Sequence, residues 1–313
     1  MKIQIRIIVS VSVLAGSVGI ILLAFFSFRN WYNSSVITDW IVSSEEQDTT
    51  ERHRQNRGER YQILPDHILV IPDKGEDMHK LVRLDRQGKT EQIVTEEIVN
   101  SFLELDPKVY YDIQDEYADC WDMEDELSRI YCYDYETEEH TLLVEDQNIN
   151  WFSIHQDEII YICHDNKENL NKIFSCDLSG KNQKVLYQFK EYYDCQFFLT
   201  GDKILLIYDI EKSEDINNFQ IAMLSLQTKE LKNILPLNTW PWETFLLDRD
   251  LYVIQEGVLY QITLDLENGL ADRKRLSRDM DYDEITCLYG RDTDLYSRNY
   301  DGEFRLLSER GNP

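Results

Sequence analysis

KLVRLDRQG (80–88) and KIFSCDLSG (172–180) carry lysine, aspartate and glycine at the same places, with apolar residues in step between them. The order reads as a strand with alternating apolar residues that ends in a turn. The aspartate bonds the backbone two residues on, and the glycine supplies a conformation other residues resist. RIYCYDYET (129–137), QIAMLSLQT (220–228), LYQITLDL (259–266) and EFRLLSERG (303–311) fit the same frame. The turn column is Asp85, Asp134, Asp177, Ser225, Thr263 and Ser308, six short oxygen side chains. Immediately before it stand Leu84, Tyr133, Cys176, Leu224, Ile262 and Leu307; four before it stand Leu81, Ile130, Ile173, Ile221, Leu259 and Phe304. Neither column is broken by a polar side chain.

A second strand precedes each of these. It begins at Ile68, Val109, Ile159, Ile204, Leu251 and Leu295, followed by Leu69, Tyr110, Ile160, Leu205, Tyr252 and Tyr296. The turn column recurs every 38–49 residues. A period of that length with about four short strands per unit marks the blades of a β-propeller. The third unit is the clearest, with strands expected at Trp151–His155, Glu158–His164, Lys172–Cys176 and Lys184–Phe189. The fold expected is all-β, a propeller of about six blades over 61–313. A β-sandwich has similar strands but gives no reason for six turn columns in phase. The last unit, Ile285 to Ser308, holds three strands. Val36–Val42 is a candidate fourth that would close the ring and hide an edge.

The strand-and-turn unit, apolar-x-x-apolar-Asp-x-x-Gly-Lys, resembles that of six-bladed propellers of the TolB-like and YWTD (low-density-lipoprotein-receptor) type, over residues 61–311. The tetrapeptide YWTD itself is not present in every blade. The resemblance implies the fold, and binding or scaffolding as the usual role, with no specific chemistry.

Ile7 to Phe26 is an uncharged run, IIVSVSVLAGSVGIILLAFF, long enough as a helix to span a bilayer. Lys2 and Arg6 precede it; Arg29, Trp31 and Tyr32 follow. The run is too long for a signal-peptide core and ends in Ala-Phe-Phe-Ser-Phe, with no small-x-small step, so an uncleaved anchor is expected. The positive-inside rule puts residues 1–6 in the cytoplasm and the bulk outside it, at the cell membrane. Residues 27–60 read as a juxtamembrane segment and polar linker.

The formal net charge is −27, which disfavours nucleic acid and favours cationic partners. Strand parity brings the connections between second and third strands to the same end of the blades as the blade-to-blade links. That end collects aromatics and acids: Trp121 and Asp122 in DIQDEYADCWDMEDELS (112–128), Tyr192 and Tyr193, Trp240 and Trp242, and Asp281 and Tyr282. Rings beside carboxylates suit a sugar, a cationic peptide or a basic protein surface. The expectation is a non-enzymatic module that binds a protein or glycan at the membrane. A cell-envelope glycan lyase or hydrolase with a site in the central channel is the alternative. The strands expected to line that channel are mostly apolar (Phe102, Leu103, Trp151, Phe152, Phe197, Phe198, Phe245, Leu246), which favours binding.

No nucleophile elbow, zinc helix, phosphate loop or dinucleotide fingerprint is present. No metal or cofactor is expected beyond weak calcium at the acidic loop, which lacks EF-hand spacing. His155 and His164 flank one hairpin, but no nucleophile accompanies them. The six cysteines have no metal spacing and are either buried thiols or disulfides. If Ile162 faces Asp177, Cys163 and Cys176 oppose each other and outside the cell could oxidise. Cys120 and Cys132 could likewise bridge the acidic loop.

Overall fold

The computed structural model describes residues 61–64, 66–72, 76–114, 127–165, 168, 170–190, 196–209, 219–237, 243–247, 250–255, 258–265, 270–276, 287–291, 294–298 and 304–308. All regular structure within them is β. The first sheet holds β1 to β4 (Tyr61–Ile63, His67–Val70, Leu81–Asp85, Thr90–Thr95), the second β5 to β8 (Val99–Leu105, Lys108–Gln114, Leu127–Asp134, Glu139–Gln147). The third holds β9 to β12 (Ile149–His155, Glu158–Asp165, Leu170–Asp177, Lys184–Lys190), the fourth β13 to β16 (Gln196–Thr200, Lys203–Asp209, Phe219–Ser225, Leu231–Leu237). The fifth holds β17 to β20 (Glu243–Leu247, Asp250–Gln255, Val258–Asp265, Leu270–Arg275), and the sixth β21 to β23 (Cys287–Arg291, Asp294–Arg298, Phe304–Ser308). Each is an antiparallel meander in chain order, and the third matches its expected strands to within two residues.

The repeat columns are hydrogen-bonded partners. Ile68 pairs with Leu84, Val109 with Tyr133, Ile159 with Cys176, Ile204 with Leu224 and Leu251 with Ile262. All ten are buried. In sheets two to five this column points back at the preceding sheet, and the next column points forward. Ile159 and Tyr161 thus pack on the second sheet with Tyr110 and Ile130, while Ile160 and Ile162 pack on the fourth with Ile204 and Leu206. Burial on both faces is why β10 is apolar almost without interruption.

The turns form as the column dictates. Asp85 Oδ1 accepts from the Gln87 and Lys89 amides at 2.9 and 2.8 Å, and Asp134 Oδ1 from the Glu136 amide at 2.9 Å. Asp177 Oδ1 accepts from the Ser179 hydroxyl at 2.6 Å and from the Ser179 and Lys181 amides. That Ser179 hydroxyl, the Lys181 amide and Asn182 hold its carboxyl at about 2. Ser225 Oγ accepts instead from Thr228, three residues on. Thr263 departs further: β19 runs on to Asp265, and its hydroxyl donates to Asp250 Oδ1 at 2.7 Å across the ladder. Gly180 (φ +76°) has a second reason to be glycine, because a Cβ there would lie 2.0 Å from the Leu143 carbonyl oxygen on the second sheet.

Among the described residues no helix is long and apolar enough to cross a membrane. The span expected at 7–26, the segment 27–60 and the closing strand at 36–42 lie outside the described residues.

Candidate functional site

Trp121, Asp122, Tyr192, Tyr193, Trp240, Trp242, Asp281 and Tyr282, and Cys120, lie outside the described residues. The strands that flank them are described. Gln114, where the chain leaves β6, lies opposite Ser128 at the start of β7, and Leu127 opposite Gln147 at the end of β8. Ile149 then enters the third sheet opposite Cys163, at the far end of β10. The connection 115–126 and the step from sheet two to sheet three therefore share one end, as parity requires.

The cysteine register corrects one expectation. Glu158, not Ile162, lies opposite Asp177, so Cys176 faces Ile159 and Cys163 faces Lys172. The two cysteines are four register steps apart, about 13 Å along the strands, beyond the reach of a disulfide. The repeat column that begins at Ile159 already implies this register. Cys132, Cys163 and Cys176 are free, buried thiols in one apolar cluster between sheets two and three. Burial pushes all three pKa values up, Cys176 to about 11, which leaves them unreactive. His155 and His164 lie opposite Glu158 and Asn171, at opposite ends of the hairpin, so they are not partners.

The described residues place a polar cluster where the repeat leads one to expect apolar packing. On the first strand of each sheet, the residue opposite the backward-facing column is Ile63, Glu104, Ile154, Leu199 and Leu246. Only the second sheet has a charge there, and Glu104 is 2% exposed. The residue that opens the second strand is His67, Lys108, Glu158, Lys203 and Asp250. Lys108 and Glu158 are about half-exposed, at 45% and 44%, whereas His67 is 4% exposed. The two exceptions meet: His67 Nε2 lies 2.8 Å from Glu104 Oε2 across the seam between sheets one and two. Its other nitrogen, Nδ1, lies 2.8 Å from Oδ1 of the exposed Asp66.

Other groups complete the cluster. The Glu104 amide donates to the Gln62 side-chain carbonyl at 3.1 Å. The Tyr135 ring meets the imidazole edge-on at 6.2 Å, with the Arg83 guanidinium 4.7 Å over its face. Arg83 also reaches Glu91 at 3.2 Å and Asp66 at 3.6 Å. Gln62 Nε2 and Tyr135 Oη are buried without a hydrogen-bond partner. Burial opposes charge on His67, yet the hydrogen bond to Glu104, its negative charge and the bond to Asp66 outweigh it and raise the imidazole pKa. The signal for Glu104 was in the sequence, as the charged exception in an apolar column; His67 opens a strand in a column that is polar throughout, so its burial was not legible there.

A second buried carboxylate lies at the other end of β5. Asp112 accepts from the Ser101 amide and hydroxyl, both at 2.7 Å, beside the register shift between Val99 and Ser101. Burial raises its pKa and the Ser101 bonds counter part of that rise. This carboxylate pins a bulge where the chain enters the acidic connection, a structural task. Among the described residues no three His, Cys, Asp or Glu side chains are grouped to hold a metal ion.

No family model matches the chain, and no curated protein matches it significantly. Solved structures do. It is similar to an oligogalacturonate lyase in complex with manganese (TM-score 0.57, 12% identity, 81% of this chain and 76% of that one). It is similar also to the oligogalacturonate lyase of Vibrio parahaemolyticus (0.55, 11%, 77% and 73%). Against a prolyl endopeptidase it aligns over 93% of its own length but 47% of that chain (0.55, 9%). At such identities the likeness shows the fold alone, and that fold is the β-propeller.

Proposed function

We propose that this chain is an extracytoplasmic, six-bladed propeller of TolB-like or YWTD character, held at the cell membrane by residues 7–26. It acts there as a non-enzymatic module that binds a cationic protein surface or a glycan through the end carrying Trp121, Asp122, Tyr192, Tyr193, Trp240, Trp242, Asp281 and Tyr282. One observation carries this reading. The acids buried in the described sheets are engaged within the protein, Glu104 by His67 and Asp112 by Ser101, while the chain as a whole bears −27. The excess charge therefore belongs to the surface, where it attracts cations and cationic partners. Ring closure is supported by Ile68, Val70, Val82 and Leu84. They lie on the face of the first sheet turned away from the second and are buried nonetheless.

The test uses the full-length protein in detergent, titrated with poly-lysine and with a panel of neutral and acidic glycans. Binding is expected to weaken at least tenfold in the Trp242→Ala, Asp122→Ala double variant while the melting temperature is unchanged. Equal binding by that variant would overturn the assignment of this end. The likeness to two oligogalacturonate lyases at TM-scores of 0.57 and 0.55 favours a second reading, a glycan-active enzyme. Release of unsaturated uronate from oligogalacturonate by the purified protein would replace the first reading with the second.

A further inference from the structure

We propose that His67 is a proton-operated latch between the first and second sheets: as an imidazolium it bridges Asp66 and Glu104, and loss of its proton loosens that seam. The argument is geometric. Both ring nitrogens lie 2.8 Å from a carboxylate oxygen. A neutral imidazole has one N–H, so its second nitrogen would set a lone pair against a carboxylate lone pair at that distance. Only the imidazolium donates to both. Glu104 is nearly buried, and its carboxylate would otherwise hold a charge in the seam without the imidazolium that pairs it.

The surrounding charges give the same answer from every neighbouring strand. On β3, Arg83 opposes a second cation but is itself held by Asp66 and Glu91, and Asp85, opposite His67 in the ladder, accepts from its own turn. From the second sheet come Glu104 on β5, Tyr135 beyond β7, and Lys108 on β6, which is paired with Asp134 at 3.3 Å. Arg86 is directed at the Leu64 carbonyl at 3.0 Å. With His67 neutral, Asp66, Glu91 and Glu104 face one guanidinium; with His67 charged they face two cations.

The sign follows from linkage. A histidine held above its ordinary value of about 6.5 contributes fully below that pH, and the contribution is lost as pH rises through the folded value. The latch is therefore closed while the two carboxylates are ionised and the imidazole is protonated, and it is released as pH rises through the raised folded value.

The experiment records imidazole nitrogen resonances of the full-length protein in detergent from about pH 5 to about pH 9. It is paired with amide hydrogen exchange corrected for intrinsic base catalysis. Two ring N–H signals from His67 at about pH 6 and a midpoint above about 6.5 are expected. Opening at the Glu104 and Leu64 amides is expected to rise with pH more steeply than at Leu251 and Leu205 between sheets four and five. Glu104→Gln, which keeps an acceptor and removes the charge, is expected to weaken proton affinity about tenfold, one pH unit. One ring N–H at about pH 6, a midpoint at or below the ordinary value, or identical pH dependence in both seams would overturn the latch. If Glu104→Gln does not fold, the wild-type titration and exchange decide the matter alone.

Discussion

The seam between sheets four and five and the seam between sheets one and two occupy equivalent places in the repeat and are built from different chemistry. The buried cluster of the former is apolar: Phe198, Leu205, Ile207, Phe219, Ile221 and Leu237 from one side meet Leu246, Leu251, Val253, Ile262 and Leu264 from the other. The latter has an aliphatic base around Leu69, Leu81 and Val109, but Tyr111, Tyr133 and Tyr135 and the His67–Glu104 pair take the remaining room. Tyr111 stacks on Tyr131 at 5.7 Å and donates to or accepts from His140 Nδ1 at 2.7 Å. Apolar contact is insensitive to pH and forgiving in direction. A buried imidazolium between two carboxylates is directional and conditional on a proton. One architecture thus holds a seam that only stabilises beside a seam whose strength depends on conditions.

That contrast can be broken at several points. The largest effect is expected from His67→Ala, which leaves Glu104 charged and unpaired in the seam and costs about 3–5 kcal/mol near neutrality. Chemical denaturation of the variant from neutral pH to mild alkali should show the deficit shrinking as the wild type loses its own proton. Leu251→Ala in the hydrocarbon seam is expected to cost about 2–5 kcal/mol through lost burial and the cavity left behind. Its loss should be the same at every pH in that range, and a pH-dependent loss would erase the distinction between the seams.

Gly180→Ala tests the seam between sheets two and three, where backbone meets backbone. A methyl at φ +76°, 2.0 Å from the Leu143 carbonyl oxygen, forces the turn to move, and roughly 1–3 kcal/mol should be lost in the same denaturation measurement. The smallest change in stability is expected from the double variant His67→Leu, Glu104→Leu. It puts apolar side chains at both positions of the seam, and replacement of a buried ion pair by hydrocarbon is often neutral. Its sharper reading is the pH profile. A double variant that keeps the wild-type pH dependence would place the titrating group elsewhere.

The repeat was legible because every blade solves the same packing problem. Ile159 must face back and Ile160 forward in the third sheet, just as Ile204 and Leu205 must in the fourth, so the apolar columns and the turn residues recur in phase. Strand positions, pairing partners and the end from which each connection emerges follow from that alone. Cys163 and Cys176 do not oppose each other, because the register that sets Ile159 against Cys176 sets Cys163 against Lys172.

Sequence by itself therefore determined the order of the strands and which columns are buried in sheets one to five, since alternation along a strand is a local property repeated along the chain. Only the tertiary structure decided that His67 and Glu104, 37 residues apart and in different sheets, confront each other across a seam. Glu104 could be recognised as an exception in its own column, but its meeting with His67 depends on how two sheets are rotated and spaced, which no single strand encodes.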